Sequence, residues 1–248
     1  LGIVDRGDDV PRCAATGHVV KRGEQAGHVE RRVVGGGVGG AEADALGRRR
    51  DHGQGEADVE LHAAGAGAHR LGHRVAVDAG HGGTNNGAVG ATGTYEKEIT
   101  LALSLKLQKA LEKEGAKVIM TRNREMFFDN KERILFYRDS VPDLLLSIHL
   151  NSSTDPFSVG GTSTYYRYIG FKPLSLLIYK RLLELGLKEY GNTGSFNFML
   201  NSPTEYPNAL IETLFLSNLA EEEQILNPEY QQQMVDKIVL GLKDFLES

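Results

Sequence analysis

Residues 143–148 read DLLLSI, an apolar run that leads directly into His149. Because the run is unbroken and does not alternate with polar residues, it predicts a strand that is buried on both faces, as the central strands of parallel sheets are. Short apolar runs and longer amphipathic segments alternate on both sides of it, which is the pattern of βα units. The sequence therefore predicts an α/β fold built around a mostly parallel sheet.

The other predicted elements follow from apolar spacing and from the residues at element ends. Glu96–Glu114 places Ile99, Leu103 and Leu107 on one helical face and is followed by Gly115, a residue typical of a helix C-terminus. The remaining predicted strands are Arg74–Ala79, Lys117–Thr121, Gly161–Tyr168 as an outer strand, and Asn208–Thr213. The remaining predicted helices are Asn130–Asp139, Pro173 to about Tyr190, and Pro228–Phe245.

Composition divides the chain near position 74. All nine Phe and nine Tyr residues lie after position 73, and the preceding residues are rich in Gly, Ala and Arg. A segment without aromatic residues buries too little apolar surface to offset the entropy of ordering it. We therefore expect residues 1–73 to be disordered or ill-defined and residues 74–248 to form one catalytic domain. Residues 1–73 are interpreted as a flexible linker or as the product of a non-native reading frame, and a metal-binding role for their six histidines is the weakest alternative.

Charge and cysteine content exclude several classes of protein. The formal net charge of −5 argues against a nucleic-acid partner, which requires a concentrated excess of Lys and Arg. Cys13 is the single cysteine, so a disulfide framework, a Cys₄ zinc site and a cysteine peptidase are all disfavoured. No apolar run is long enough to span a membrane, and no secretory signal is visible in this chain, which begins at Leu1.

Two histidines carry the first functional signal. His81 and His149 are the only histidines in residues 74–248, and each follows a predicted strand. Because the carboxyl ends of parallel strands line one crevice, these residues are expected to converge. The glycines around His81 permit a sharp turn and keep bulk away from an imidazole, but they match neither the Walker pattern nor G-x-G-x-x-G. A structural histidine is the alternative for either residue alone, and the pair together favours a metal site.

Two carboxylates complete the predicted site. Catalytic zinc typically takes three protein ligands, and Glu96, in the first turn of a helix, is the best third candidate, whereas Glu98 is interpreted as an ordinary helix-start acid. Glu212 is flanked by apolar residues on both sides in the sequence. Burying a carboxylate there costs free energy unless it has a partner, so a functional role is favoured over a structural one. Burial is expected to raise its pKa toward the range of a general base.

Four ordered motifs resemble those of the zinc-dependent N-acetylmuramoyl-L-alanine amidases of the amidase 3 type. They lie at Asp78–Gly83, Glu96–Leu101, Ser147–Asn151 and Leu210–Asn218, and the resemblance covers essentially all of residues 74–248. It implies a twisted, mostly parallel sheet with helices on both faces. It also implies that His81, Glu96 and His149 bind one catalytic Zn²⁺ and that Glu212 is the catalytic acid and base.

The resemblance further implies a peptidoglycan hydrolase that cuts the bond between N-acetylmuramic acid and L-alanine outside the cytoplasm, in the cell wall or periplasm, and we expect a monomer. Ala79, Thr100 and Leu214 depart from residues common in the family, and Asn192–Ser195, interpreted as a loop, lacks an arginine often found there. None of these changes removes a ligand. The alternatives are a zinc peptidase acting on another stem-peptide amide and a non-catalytic wall-binding module.

Overall fold

The computed structural model describes residues 71–195 and 197–248, so most of the segment 1–73 lies outside the described residues and its predicted character stays a prediction. Within the described part, the strands are β1 Arg74–Ala79, β2 Lys117–Ile119, β3 Leu144–Asn151, β4 Thr162–Tyr165, β5 Glu189–Thr193 and β6 Asn208–Phe215. The helices are α1 Glu96–Lys113, α2 Asn130–Ser140, α3 Lys172–Leu183, α4 Leu219–Leu226 and α5 Pro228–Leu246, with short 3₁₀ turns at Ile169–Phe171 and Met199–Asn201.

The strands form one mixed sheet in the order β2-β1-β3-β6-β4-β5. The four strands β2, β1, β3 and β6 are parallel, β4 is antiparallel to β6, and β5 is parallel to β4. β3 therefore lies between two parallel neighbours, as its unbroken apolar run predicted. The predicted α/β fold with a mostly parallel sheet is confirmed.

The apolar residues of the strands alternate between two cores, one on each face of the sheet. Val75 and Val77 point into the larger core, which also contains the apolar faces of α1, α3 and α5. Ala76 and Leu145 point into a smaller core with Tyr137 of α2. Because successive strand residues face opposite sides, this division requires helices on both faces, as the resemblance implied.

Helix ends agree with the local sequence. α2 begins with a capping box in which the Asp129 side chain accepts from the Glu132 amide and the Glu132 side chain accepts from the Asp129 amide. Gly115 follows the end of α1 with φ of 90°, a left-handed conformation that glycine adopts without steric cost. Among the described residues, no helix combines the length and the apolar character needed to cross a membrane.

Three predicted boundaries are wrong in ways that matter for the site. β3 continues through Asn151, so His149 lies within the strand and not after it. α3 ends at Leu183 and not near Tyr190, and Gly186, which follows it, adopts φ of 77°, a left-handed conformation that does not continue a helix. Asn192 and Thr193 belong to the edge strand β5 and not to a loop, and β4 is consequently not the outer strand.

Candidate metal centre and active site

His81, Glu96 and His149 come together at the carboxyl ends of β1 and β3. Each offers one ligand atom, and the three atoms lie within 4.8 Å of one another. Nε2 of His81 lies 3.1 Å from Oε2 of Glu96, and Nδ1 of His149 lies 3.1 Å from Oε1 of the same carboxylate. The structure thus brings together all three residues that the sequence predicted as metal ligands.

A hydrogen bond to Asn85 orients the imidazole of His81. Nδ1 of His81 lies 3.0 Å from Oδ1 of Asn85, and the Gly87 amide donates to the same oxygen at 3.1 Å. Because that oxygen already accepts from an amide, it is an acceptor toward the ring, and Nδ1 is the donor. When the ring is neutral, its proton therefore lies on Nδ1, and the lone pair of Nε2 is directed toward Glu96 and the cluster, as metal-ligating histidines require.

Two backbone amides hold the Glu96 carboxylate. Oε1 accepts from Leu150 at 2.9 Å, and Oε2 accepts from Ala88 at 2.8 Å. Burial alone would raise the pKa of this carboxyl, but the hydrogen bonds from His149 and His81 hold the pKa well below its usual range. For His81, burial favours the neutral ring, yet the adjacent Glu96 carboxylate leaves the pKa of the imidazole above its usual value.

Two glycines provide the space that these side chains occupy. A Cβ at Gly80 would lie 2.7 Å from both ring nitrogens of His149, and a Cβ at Gly87 would lie 2.5 Å from Oε2 of Glu96. Gly87 also has φ of 69°. The expectation that the glycines around His81 keep bulk away from its own imidazole is wrong: Gly80 faces the imidazole of His149, and Gly82 and Gly83 face Met126 and Phe127.

Glu212 lies beside the cluster on the neighbouring strand. Its register partner on β3 is His149, so the two residues stand side by side on adjacent parallel strands. Within the described part of the chain, Oε2 of Glu212 is buried and has no hydrogen-bond partner. Burial, and then repulsion from Glu96, raise the pKa of Glu212 well above its ordinary value. The expected direction of this shift is confirmed.

Two buried arginines, to which sequence reasoning assigned no role, hold the loop that carries His81. Arg122 donates to the carbonyl oxygens of Ala79 at 3.1 Å and of Gly80 at 2.8 Å. Arg133 donates to the carbonyl oxygens of Ala79 at 2.8 Å and of His81. Both side chains are almost completely buried. Their sequence neighbourhoods gave no signal of burial, because their contacts arise only when α2 and the segment that follows β2 pack against the end of β1.

Asp78 neutralises one of these arginines. Its Oδ1 lies 2.8 Å from Nη1 of Arg133 and accepts from the Tyr137 hydroxyl at 3.1 Å, and its Oδ2 accepts from the Ser147 hydroxyl at 3.0 Å. A buried ion pair offsets its desolvation only when further hydrogen bonds satisfy the charges, and this pair has them. The polar network therefore fixes the backbone two residues before the first candidate ligand.

Comparisons with known proteins show the family to which the chain belongs. The family model for N-acetylmuramoyl-L-alanine amidase matches residues 75–244. The uncharacterized protein YqiI of Bacillus subtilis is 34% identical over 181 residues, which cover 71% of this chain and 86% of that protein. The probable cell wall amidase LytH of Staphylococcus aureus is 30% identical over 179 residues, which cover 71% of this chain and 60% of LytH.

A solved structure has the same fold. The N-acetylmuramoyl-L-alanine amidase from Clostridium difficile 630 superposes with a TM-score of 0.68 and 31% identity, over 71% of this chain and 97% of the solved chain.

Proposed function

The chain belongs to the N-acetylmuramoyl-L-alanine amidase family and is an amide hydrolase of peptidoglycan, and from this premise we propose that His81, Glu96 and His149 hold one catalytic zinc ion while Glu212 acts as the catalytic acid and base. The scissile bond is the amide between N-acetylmuramic acid and L-alanine. The observation that carries the proposal is the convergence of two imidazole nitrogens and one carboxylate oxygen within 4.8 Å.

The donor set fits zinc. Structural surveys of zinc sites give ligand distances of about 2.0–2.2 Å to histidine and carboxylate, which in a tetrahedron separates ligand atoms by roughly 3.4 Å. Oε2 of Glu96 lies 3.1 Å from Nε2 of His81 and Oε1 lies 3.1 Å from Nδ1 of His149, so each carboxylate oxygen is close to that separation from one imidazole. Three protein ligands leave one position open, which is the arrangement of catalytic zinc sites rather than structural ones. When bound there, zinc supplies a Lewis acid for the scissile carbonyl and lowers the pKa of a water molecule to about 7.

Glu212 supplies the proton transfers. Its unpartnered Oε2 is the atom available to accept a proton from the attacking water, and its raised pKa makes Glu212 a stronger base than an ordinary carboxylate. The water oxygen bonds to the carbonyl carbon, the carbon–nitrogen bond breaks, and Glu212 returns the proton to the departing L-alanine nitrogen. The products are a muramic acid carboxylate and a free L-alanine amino group.

The remaining parts of the proposal concern the whole protein. We infer that residues 74–248 are a complete catalytic unit that acts as a monomer on peptidoglycan in the cell wall or periplasm. The support is a fold whose two cores are formed within this range, together with similarity to a probable cell wall amidase.

The test combines metal analysis with product analysis. We expect about one zinc per chain and chelator-sensitive release of L-alanine amino groups from purified peptidoglycan, as a three-ligand catalytic site predicts. Release of other amino termini would assign the site to a different stem-peptide amide. Binding to peptidoglycan without any release would make the domain a wall-binding module, and absence of zinc would contradict the metal site.

A further inference from the structure

A short hairpin formed by residues 88–96 follows His81 in the chain. It donates a backbone amide hydrogen bond to the carboxylate of Glu96, the second candidate ligand. The Glu96 amide donates to the Ala88 carbonyl at 2.9 Å, and the Ala88 amide donates back to Oε2 of Glu96 at 2.8 Å. Val89 and Tyr95 form an antiparallel bridge, and the Gly90 amide donates to Thr94 at 2.8 Å to close the turn. The position of the Ala88 amide, and hence of Oε2, depends on the geometry of this hairpin.

The tip of the hairpin is held by Glu222, which lies in the first turn of α4. Ala91, Thr92 and Gly93 at the tip are exposed, whereas Glu222 is fully buried. Its Oε2 accepts from the Thr92 amide at 2.9 Å and its Oε1 accepts from the Thr92 hydroxyl at 2.7 Å. The hairpin thus covers the carboxylate, and the carboxylate binds the hairpin with both oxygens.

Gly90 makes this contact possible. A Cβ at Gly90 would lie 2.5 Å from Cδ of Glu222, so the glycine lets the hairpin backbone approach the carboxylate directly. A buried carboxylate is costly unless it is hydrogen-bonded, and the described residues give Glu222 no salt bridge. Its hydrogen bonds to the hairpin are therefore a large part of what stabilises it in this position.

The neighbouring Glu221 acts on a different segment. Its Oε1 accepts from the Gly161 amide at 2.6 Å and its Oε2 accepts from the Phe215 amide at 2.7 Å. Two consecutive carboxylates of α4 thus bind different segments, and among the contacts described Glu222 is the one directed at the hairpin. A substitution of Glu222 therefore acts on the hairpin, whereas a substitution of Glu221 acts on the segments that contain Gly161 and Phe215.

We propose that Glu222 is a positioning residue for the metal site: by fixing the hairpin tip at Thr92, it keeps the Ala88 amide on Oε2 of Glu96 and so aims the carboxylate between His81 and His149. The inference rests on the proposed function, in which Glu96 is a zinc ligand. Hydrogen-bond partners of metal ligands change metal affinity by about 10- to 100-fold when removed, so the effect is measurable at equilibrium.

The experiment measures zinc affinity of the full chain by competition with a chromophoric chelator, together with amide hydrogen exchange at Ala88 in metal-free protein. For Glu222→Ala we expect roughly tenfold weaker zinc binding and faster exchange at Ala88, with partial recovery in Glu222→Gln, which keeps one acceptor oxygen. Glu223→Ala is the matched control, because Glu223 is an exposed residue of the same helix and its removal should change neither quantity.

The outcomes separate three cases. A folded Glu222→Ala protein with unchanged zinc affinity and unchanged exchange at Ala88 overturns the inference, even if its melting temperature falls. If Glu222→Ala does not fold, Thr92→Val decides instead, because it removes one hydrogen bond from an exposed residue and should weaken zinc binding about threefold. If the unaltered chain binds no zinc, the proposed metal site fails, and the exchange rate at Ala88 alone then supports or overturns the link from Glu222 to the hairpin.

Discussion

His149 and Glu212 are register partners on the adjacent parallel strands β3 and β6. Neighbouring strands lie about 4.8 Å apart, so this pairing places the proposed acid and base beside the proposed metal ligand without any loop between them. A site positioned by strand pairing is more rigid than one built on loops. The effects of substituting His149 and Glu212 on zinc content and activity can therefore be compared directly.

Glu212→Gln should abolish catalysis without removing the metal. The amide keeps the shape of the side chain but cannot accept the proton, so we expect kcat to fall by roughly 10²- to 10⁴-fold with zinc content unchanged. His149→Ala should lose both zinc and activity. Glu98→Gln, which changes an exposed carboxyl of the first turn of α1, serves as the control and should behave like the unaltered chain. Normal turnover by Glu212→Gln would contradict the assigned role.

The metal-free protein should lose stability as pH rises because of Glu212. Its pKa is raised by folding, so the folded state binds a proton more tightly than the unfolded state. The stabilisation that this proton gives is present below the unfolded pKa and is lost as pH rises through the folded pKa, at ~1.4 kcal/mol for each unit of difference. In chelator-treated samples, Glu212→Gln should therefore gain in melting temperature relative to the unaltered chain as pH increases. Parallel melting curves at all pH values would show that Glu212 does not titrate in this way.

The buried ion pair Asp78–Arg133 should contribute far more to the free energy of unfolding than an exposed ion pair of the same type. Arg133→Ala leaves a buried carboxylate uncompensated, and we expect a loss of about 3–5 kcal/mol in the free energy of unfolding, measured with urea. Arg138→Ala breaks the exposed pair with Asp139 and should cost less than about 1 kcal/mol. Similar losses in the two variants would mean that burial does not determine the strength of these pairs.

Gly80→Ala should damage the site at His149. The new methyl group would meet the imidazole, so either the ring or the strand must move, at a cost of roughly 1–3 kcal/mol in stability. We expect at least tenfold weaker zinc binding, read by chelator competition, as for other disturbed ligand positions. Gly170→Ala has open space around the added methyl group and is the control. Equal zinc affinity in the two variants would rule out the close approach at Gly80.

A chain that begins at Leu71 should be more stable than one that begins at Arg74. The Leu71 amide donates to the Glu114 carbonyl at 2.8 Å, and the His73 carbonyl accepts from the Lys117 amide at 2.8 Å. Loss of these two hydrogen bonds should cost about 1–3 kcal/mol, measured by thermal unfolding of residues 71–248 and 74–248. Both chains should fold and hydrolyse peptidoglycan. Failure of the shorter chain to fold would move the domain boundary before position 74.

The sequence was sufficient to predict those helices and strands whose apolar residues recur at a regular spacing. β1 has the predicted bounds, and α5 differs from its prediction by a single residue, because their apolar periodicity is unambiguous. β5 was missed because Gly191 and Asn192 give an edge strand no apolar alternation. α4 was missed because it is only eight residues long and because three consecutive glutamates, Glu221 to Glu223, interrupt its apolar residues.

The candidate site likewise contains residues that could be predicted from the sequence and contacts that could not. Histidine and glutamate are recognisable as ligands from their chemistry and their place near strand ends, so His81, Glu96 and His149 could be named in advance. The contacts of Asn85, Arg122 and Glu222 could not, because each depends on the packing of segments that are distant in the chain or on the path of a loop. Such polar contacts leave no periodic trace in the sequence.

The ligands of the proposed metal site come from separate segments, with Glu96 and His149 lying 53 positions apart in the chain. An unfolded chain holds these groups too far apart on average to chelate one ion, so zinc binds almost exclusively to the native state. By mass action, free zinc at 100 times its dissociation constant adds ~2.7 kcal/mol to the free energy of unfolding. Resistance to proteolysis should therefore rise and fall with the zinc supply of the surroundings, which makes the lifetime of the enzyme, and not only its turnover, a function of metal availability.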